Sequence, residues 1–477
     1  MEQDHFLQNF FYPESVAIVG ASRNPFRPNH NLVANLVNLG FKGKVYPINP
    51  ETDEILGLKT YPDLKSIEGP VDLAVLAVPY HLTPGLLKEC VEKGIKRVTI
   101  VAGGFSETGE AGKKVQKEMA ALLKQSGVRA TGPNALSPIN ASINFAISFF
   151  PIQRLKTGGL SLIFQSGLYE PRLEWLFSDF NFHLCKLIDL GNKMDINEVD
   201  ALTYLSRDPQ TRVIGIHLES IEGNGREFLR LIREVSSSKH VVVLKSGRTD
   251  AGAKMAASHT GVIVRGNDLV FDSALKQVGA FRAQNIEEFF DIARALERFG
   301  PLSVKGPRLA VATLPGGEAV VVTDLCHQSG FALSPLTDET RKKLKSVSPP
   351  WQISANPFDL GVSLQFHDPR KVYQILVEAL VEDPNVDAIA IQLPPQAIKI
   401  PQEFFRVFAR GLRARKPIAL WLPGTPSGRH EVLEWLEDQH VVVFPSPEKT
   451  LKALLALHRL SIGERPPKDQ SYPDLFS

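Results

Sequence analysis

The chain has 477 residues, room for about three domains at roughly 150 residues each. It is 43% apolar and 22% charged with a formal net charge of +2, an ordinary globular composition that leaves no global field for nucleic acid or an anionic membrane. Cys90, Cys185 and Cys326 lie far apart with no C-x-x-C spacing, no run reaches the ~18 apolar residues of a spanning helix, and the opening Met1-Glu-Gln-Asp-His5 lacks a signal-peptide pattern, so zinc and disulfide frameworks are excluded and a cytoplasmic protein is expected.

Apolar runs bounded by Gly and Pro alternate with amphipathic stretches along the whole chain, which predicts β-α-β units and parallel sheets, an α/β fold. The first unit, residues 1–150, takes strands at Ser15–Gly20, Lys44–Asn49, Leu73–Val78, Arg97–Val101 and near Val128–Thr131, with helices at Pro84–Lys93 and Glu110–Gly127. The second, residues 151–300, takes strands at Gly159–Phe164, Leu184–Leu190, Val213–Leu218 and Val241–Leu244, and a closing helix at Ile286–Phe299. A Gly- and Pro-rich linker, residues 300–307, opens the third unit, residues 301–465. Its strands are expected at Leu309–Thr313, Ala388–Ile391, Ile418–Leu422 and Val441–Phe444, and a polar, proline-rich tail follows at 466–477.

The first βα turn reads Gly20-Ala-Ser-Arg-Asn-Pro25. Ligands of open parallel sheets bind beyond the carboxyl ends of the strands, at such turns. The dinucleotide fingerprint needs glycines where this chain has Ser22 and Pro25, so a nicotinamide dehydrogenase is disfavoured. Ser22, Arg23 and Arg27 are suited to the phosphates of another nucleotide, the alternative being a plain tight turn. In the second unit the corresponding turn is Phe164-Gln-Ser-Gly167, whose backbone amides and Ser166 hydroxyl form a candidate anion cradle. Leu190-Gly-Asn-Lys-Met-Asp195 leads into an acidic helix start, with Asp195 or Asn197 as its cap.

Downstream of the strand Val241–Leu244 comes a Gly-, Ala-, Ser- and Thr-rich segment with one histidine, His259, flanked by Lys245, Arg248, Lys254 and Arg265. A neutral imidazole is a competent nucleophile and the cations suit an anion, so the segment reads either as a loop carrying a phosphoryl-accepting histidine or as a plain flexible surface loop. Glu219, at the carboxyl end of a strand, is the candidate carboxylate to orient that imidazole, whereas His217 sits inside the strand pattern and reads as structural.

Taken in order, Pro13–Ser22, Lys42–Pro50, Asp72–Pro79, Gly132-Pro-Asn134, Gln165-Ser-Gly167, Leu190-Gly-Asn-Lys193, Leu218-Glu-Ser220, Ser258-His-Thr-Gly261, Asn356–Leu360 and Pro445–Glu448 resemble the α subunit of nucleoside-diphosphate-forming acyl-CoA synthetases, relatives of succinyl-CoA synthetase. The resemblance implies an N-terminal Rossmann-like CoA-binding domain followed by two flavodoxin-like domains. It implies CoA held at Gly20, Ser22, Arg23, Asn49, Pro79 and Asn134, phosphate held at Gln165, Ser166, Gly167, Gly191 and Asn192, and His259 as the phosphorylated histidine supported by Glu219. The activity implied is ADP-forming acid–thiol ligation, with ADP or ATP and Mg²⁺ on a separate ATP-grasp β subunit in an α2β2 assembly, since no G-x-x-x-x-G-K-[ST] loop occurs in this chain. Ala135, Glu51 and Leu168-Tyr-Glu-Pro171 depart from the family pattern, the last in a way expected to reshape the acyl pocket. A non-catalytic CoA-binding subunit is the alternative reading.

Overall fold

The computed structural model describes residues 5–165, 167–222, 224–260, 268–352, 355–424 and 431–462, with the backbone alone at 168, 178, 179, 256–260, 398 and 462. They form two compact units, Met1–Gln284 and Asn285–Ser477.

The first unit holds two large sheets. One comprises β1 (Ser15–Val19), β2 (Lys44–Ile48), β3 (Leu73–Leu76), β4 (Arg97–Ile100) and β5 (Arg129–Thr131), all parallel, in the order β2-β1-β3-β4-β5. Helices α1 (Pro28–Leu39), α2 (Thr83–Lys93) and α3 (Glu110–Ser126) connect them, each ending at a left-handed glycine. Strand periodicity divides the side chains of β1 between two cores. Val16 and Ile18 join the core shared with the second sheet, while Ala17 and Val19 face the opposite layer with Leu87, Ile95 and Leu123.

The second sheet contains β6 (Ile139–Asn140), β7 (Phe145–Ala146), β8 (Lys156–Phe164), β9 (His183–Asp189), β10 (Val213–Leu218), β11 (His240–Lys245) and β12 (Phe281–Ala283), in the order β12-β11-β10-β8-β9-β6-β7. Strands β8 to β12 are parallel, β6 pairs antiparallel with β9, and β7 pairs antiparallel with β6. Among the described residues the α-helices here are α4 (Glu198–Arg207), α5 (Gly225–Ser236), α6 (Asp250–Thr260) and α7 (Asp268–Gln277). On α5 the buried Phe228, Leu231, Ile232 and Val235 recur at helical spacing, and Asn224 caps the helix by accepting from the Arg226 and Glu227 N–H groups.

The second unit holds α8 (Ile286–Phe299), β13 (Arg308–Thr313), α9 (Gly316–Gln328), β14 (Ala332–Leu333), β15 (Phe358–Asp359), α10 (Pro369–Glu382), β16 (Ala388–Gln392), α11 (Arg410–Ala414), β17 (Ile418–Trp421), β18 (Val442–Phe444) and α12 (Pro447–Ile462). Its sheet order is β14-β13-β16-β17-β18, with β15 also pairing β13. Numbered by the parallel strands on each sheet's main path, which leaves out β15, all three orders are 2-1-3-4-5, the flavodoxin-like arrangement. Their reversal points lie at β1/β3, β8/β10 and β13/β16, where crevices for ligands form.

Three features differ from the sequence expectation. The two-residue strands β6 and β7 precede residue 150 yet belong to the second sheet, because strands so short carry no readable periodicity. Helix α8 falls in the compact unit of the third sheet, where Lys449 of α12 pairs with its Asp291 at 2.8 Å. The segment read as a loop before His259 is helical over Asp250–Thr260. Ala251, Ala253, Lys254 and Met255 are strong helix formers, and Thr249 Oγ1 accepts from the Gly252 N–H at 3.1 Å as a cap does.

Candidate functional site

At the first reversal point the chain leaves β1 through Gly20, at φ 87°. A Cβ there would stand 2.4 Å from the Ala77 carbonyl oxygen, so only glycine lets the β1 and β3 ends approach. The Asn29 side chain of α1 donates to both the Gly20 and Ala77 carbonyls, at 2.8 and 2.7 Å, tying the two strand ends together. Asn49 donates to the Ala21 carbonyl at 2.8 Å and accepts from the Glu51 N–H, also at 2.8 Å. Its role in this fold is to brace the turn. Ser22 is half-buried, with its hydroxyl oxygen accepting from the Asn24 N–H. Arg23 and Arg27 are exposed beside it and make no ion pair among the described residues, and Phe26 between them is 94% exposed. Pro79 and Asn134 are exposed at the same carboxyl edge, following β3 and β5. Two unneutralised guanidiniums and an exposed ring at a βα turn fit a phosphorylated ligand with an apolar arm.

A junction of loops joins this edge to the second sheet. Gly191, at φ 55°, packs so closely that a Cβ would lie 2.1 Å from the Pro133 carbonyl oxygen. Asn192 donates its backbone N–H to that same carbonyl at 2.8 Å and its side-chain amide to Glu107 Oε2 at 2.7 Å. Glu107 in turn accepts from the Gly104 N–H at 2.6 Å. Burial pushes the Glu107 carboxyl up, but these hydrogen bonds outweigh it and hold the group below the usual glutamate range. Helix α6, which carries His259 on its backbone, approaches the 106–108 turn that bears Glu107.

At the second reversal point the register aligns Phe164 with Asp189 on one side and His217 on the other, so the residues after β8, β9 and β10 emerge together. Gln165 is buried, and its amide braces the β10 turn. Oε1 accepts from the Glu219 and Ser220 N–H groups, both at 2.8 Å, and Nε2 donates to Ser220 Oγ at 2.9 Å. Glu219 is thereby fixed by its backbone, and the residue is 8% exposed. Lys193 is buried, donating to the Ser220 carbonyl at 2.7 Å and pairing with Glu198 at 2.8 Å. Gly167 is exposed at the start of a 3₁₀ turn, Gly167–Arg172. Ser166 lies outside the described residues, as does the side chain of His259.

Buried acids gather behind this turn. Burial raises Asp189 to about 7, against the N–H donors of Leu136 and Gly191, and the Glu219 charge adds to the rise. Glu170, 3% exposed, is raised by burial to about 8 although Ser148 Oγ donates to it at 2.8 Å. Burial lowers His217 to about 3, keeping it neutral, with its Nε2 and Ser246 Oγ 2.8 Å apart. Lys245 falls to about 8 through burial, with Asp268 opposing.

Residues 14–139 match the CoA binding domain family and residues 157–296 the succinyl-CoA ligase like flavodoxin domain family. The chain is 34% identical to the Pyrococcus furiosus acetate–CoA ligase (ADP-forming) I subunit alpha over 95% of its own length and 98% of that protein's. It belongs to the family of ADP-forming acetate–CoA ligase α subunits. It is 38% identical to acetate–CoA ligase (ADP-forming) II of Archaeoglobus fulgidus over 80% of this chain, but spans only 56% of that longer protein. Among solved structures it resembles the dinucleotide forming acetyl-coenzyme A synthetase 1 of Ca. Korarchaeum cryptofilum in complex with phosphate and ADP. That likeness has a TM-score of 0.83 at 32% identity, covering 95% of this chain and 96% of that one.

Within this ligase family the fold supplies contacts that motif reading missed. Asn29, Glu107 and the Lys193–Glu198 pair each hold a site turn in place. Asn29 had a legible signal, an asparagine in the first turn of a helix after a nucleotide-type turn. Glu107 had none, since it and Asn192 are 85 positions apart, whereas Lys193 and Glu198 stood in or beside a quoted motif without their pairing being legible. The Leu168–Pro171 departure places Tyr169 fully buried, its hydroxyl donating to the Leu136 carbonyl, and Glu170 beside Gly167.

Proposed function

We propose that this chain is the α subunit of an ADP-forming acyl-CoA synthetase, an acid–thiol ligase interconverting acyl-CoA, ADP and phosphate with acid, CoA and ATP. The observation that carries the proposal is the junction between the carboxyl edges of the two sheets, where Gly191 and Asn192 pack on the Pro133 carbonyl. The Gly20–Arg27 turn, with its exposed guanidiniums, suits CoA, and the Gln165–Gly167, Gly191–Asn192 and Glu219 turns emerge together in the same compact unit. Phosphate attacks the thioester carbonyl, CoA leaves as its thiol, and an acyl phosphate remains. The His259 imidazole then attacks phosphorus, the carboxylate departs, and the phosphoryl group passes from the imidazole nitrogen to ADP, which gives ATP and frees the histidine. Glu219 holds the imidazole tautomer and stabilises its developing charge. The backbone N–H of Gly167, with Ser166, is assigned to the phosphoryl oxygens, while the Gly191 N–H is given to Asp189 and holds the neighbouring turn.

Gln165 and Asn192 act in this reading as positioning residues, because their side-chain amides brace the turns. CoA is the substrate, held at Gly20, Ser22, Arg23, Asn49, Pro79 and Asn134. ADP and Mg²⁺ are assigned to a separate ATP-grasp β subunit in an α2β2 complex, and the complex to the cytoplasm. No helix among the described residues is long and apolar enough to cross a membrane.

Incubating the complex with acyl-CoA and labelled phosphate should yield an acid-labile, base-stable phosphoprotein. His259→Ala should abolish both label and turnover while CoA binding persists. Full labelling of His259→Ala would show that another residue is the carrier.

A further inference from the structure

In the second unit, α10 runs beside the segment formed by the 3₁₀ turn Gln402–Ala409 and α11. Between them lies a cavity of about 430 Å³, within the range of small-molecule sites. Arg370 faces it from α10, and Arg406, Arg410 and Arg413 recur along the opposite wall at near-helical spacing. Glu403 is the one carboxylate among the described lining residues. Arg410 is neutralised by Glu378 at 2.7 Å, a carboxylate that also accepts from Gln374. Arg370, Arg406 and Arg413 are exposed and make no ion pair among the described residues. Like charges brought together around one cavity repel, and an anion between them removes that repulsion. One part of the wall is apolar: Phe404 and Val407 are half-buried, and the Phe404 ring meets Tyr373 edge-on at 5.4 Å.

We propose that this cavity binds a phosphorylated small molecule of nucleotide size, with Arg370, Arg406 and Arg413 on its phosphates and Phe404 against its uncharged part. Guanidinium forks match phosphate oxygens two at a time, and several unneutralised forks around one cavity suit a multiply charged group better than a single carboxylate. The site is independent of the CoA turn and of the proposed reaction.

Calorimetric titration of the full chain with ADP and with inorganic pyrophosphate tests this. An Arg23→Gln/Arg27→Gln background removes phosphate binding at the CoA turn. In that background ADP should bind, and adding Arg406→Gln/Arg413→Gln should weaken it by about tenfold or more, the scale of a lost charge-assisted hydrogen bond. Arg406→Lys/Arg413→Lys should give an intermediate affinity, which separates charge recognition from misfolding. ADP binding tighter than pyrophosphate supports a nucleotide as the ligand, and equal affinity overturns the role given to Phe404. Absence of ADP binding at millimolar concentration, or binding unchanged by Arg406→Gln/Arg413→Gln, overturns the site.

Discussion

Glu219 is held by its own backbone N–H on the Gln165 amide, so its carboxylate can be changed without releasing the turn. Glu219→Gln should therefore leave the fold and CoA binding intact and slow phosphoryl transfer by ~10²- to 10⁴-fold, the range for lost acid–base or orienting help. Rapid-quench measurement of phosphoprotein formation checks this. Glu170 has a different signature. Its pKa is raised from 4.5 to about 8, burial being the main cause, so the folded state holds its proton more tightly than the unfolded state. The stability this gives is complete below about pH 4.5 and is lost as pH rises through about 8. Glu170→Gln keeps the shape and cannot ionise. The variant's urea midpoint should fall less than the parent's between pH 5 and about 8, and parallel profiles would show that Glu170 is not the group responsible.

At the scale of elements, the loops after β9 and β10 are joined by Lys193 Nζ on the Ser220 carbonyl and by the Glu222 N–H on Glu198, while the buried Lys193–Glu198 ion pair spans the β9–α4 connection itself. Glu198 is also the first residue of α4, whose capping box is closed by Asn197 and Asp200. Lys193→Met leaves a buried carboxylate without its cation, and a loss of about 3–5 kcal/mol is expected. Lys193→Met/Glu198→Gln removes that charge and keeps an acceptor for the Glu222 N–H, so much of the loss should be recovered. Equal destabilisation of the single and double variants in urea titrations would assign the effect to packing instead. The strand-forming stretches were legible where continuous apolar runs exist, as in Val16–Val19, Leu73–Leu76 and Val241–Leu244. Two-residue strands such as Phe358–Asp359 were not, because pairing with β13 alone defines them. The α6 helix was misread since Gly252, Ser258 and Thr260 weigh toward a loop while the intervening alanines favour helix.

For the whole molecule, the proposed cycle divides between chains. The chain alone should form no ATP from acyl-CoA, ADP and phosphate in a luminescence assay, and adding an ATP-grasp β chain should restore synthesis. Turnover by the purified chain alone would place a nucleotide-transfer site within it.

Composition, apolar periodicity and the ordered motifs were enough to determine an α/β fold, most of its parallel strands, the two turns proposed to bind ligand, and family membership. These are properties of local spacing, and local spacing is written in the chain. Tertiary structure decided which turns meet. Gly191 could be singled out in a motif, but that it must lack a Cβ follows only from the Pro133 carbonyl against it. The same holds for the hydrogen bonds by which Gln165 and Asn192, both expected at the phosphate, brace Glu219 and Glu107. Their partners lie 54 and 85 positions away. Contacts at such separations are set by sheet order and register, which no local pattern encodes.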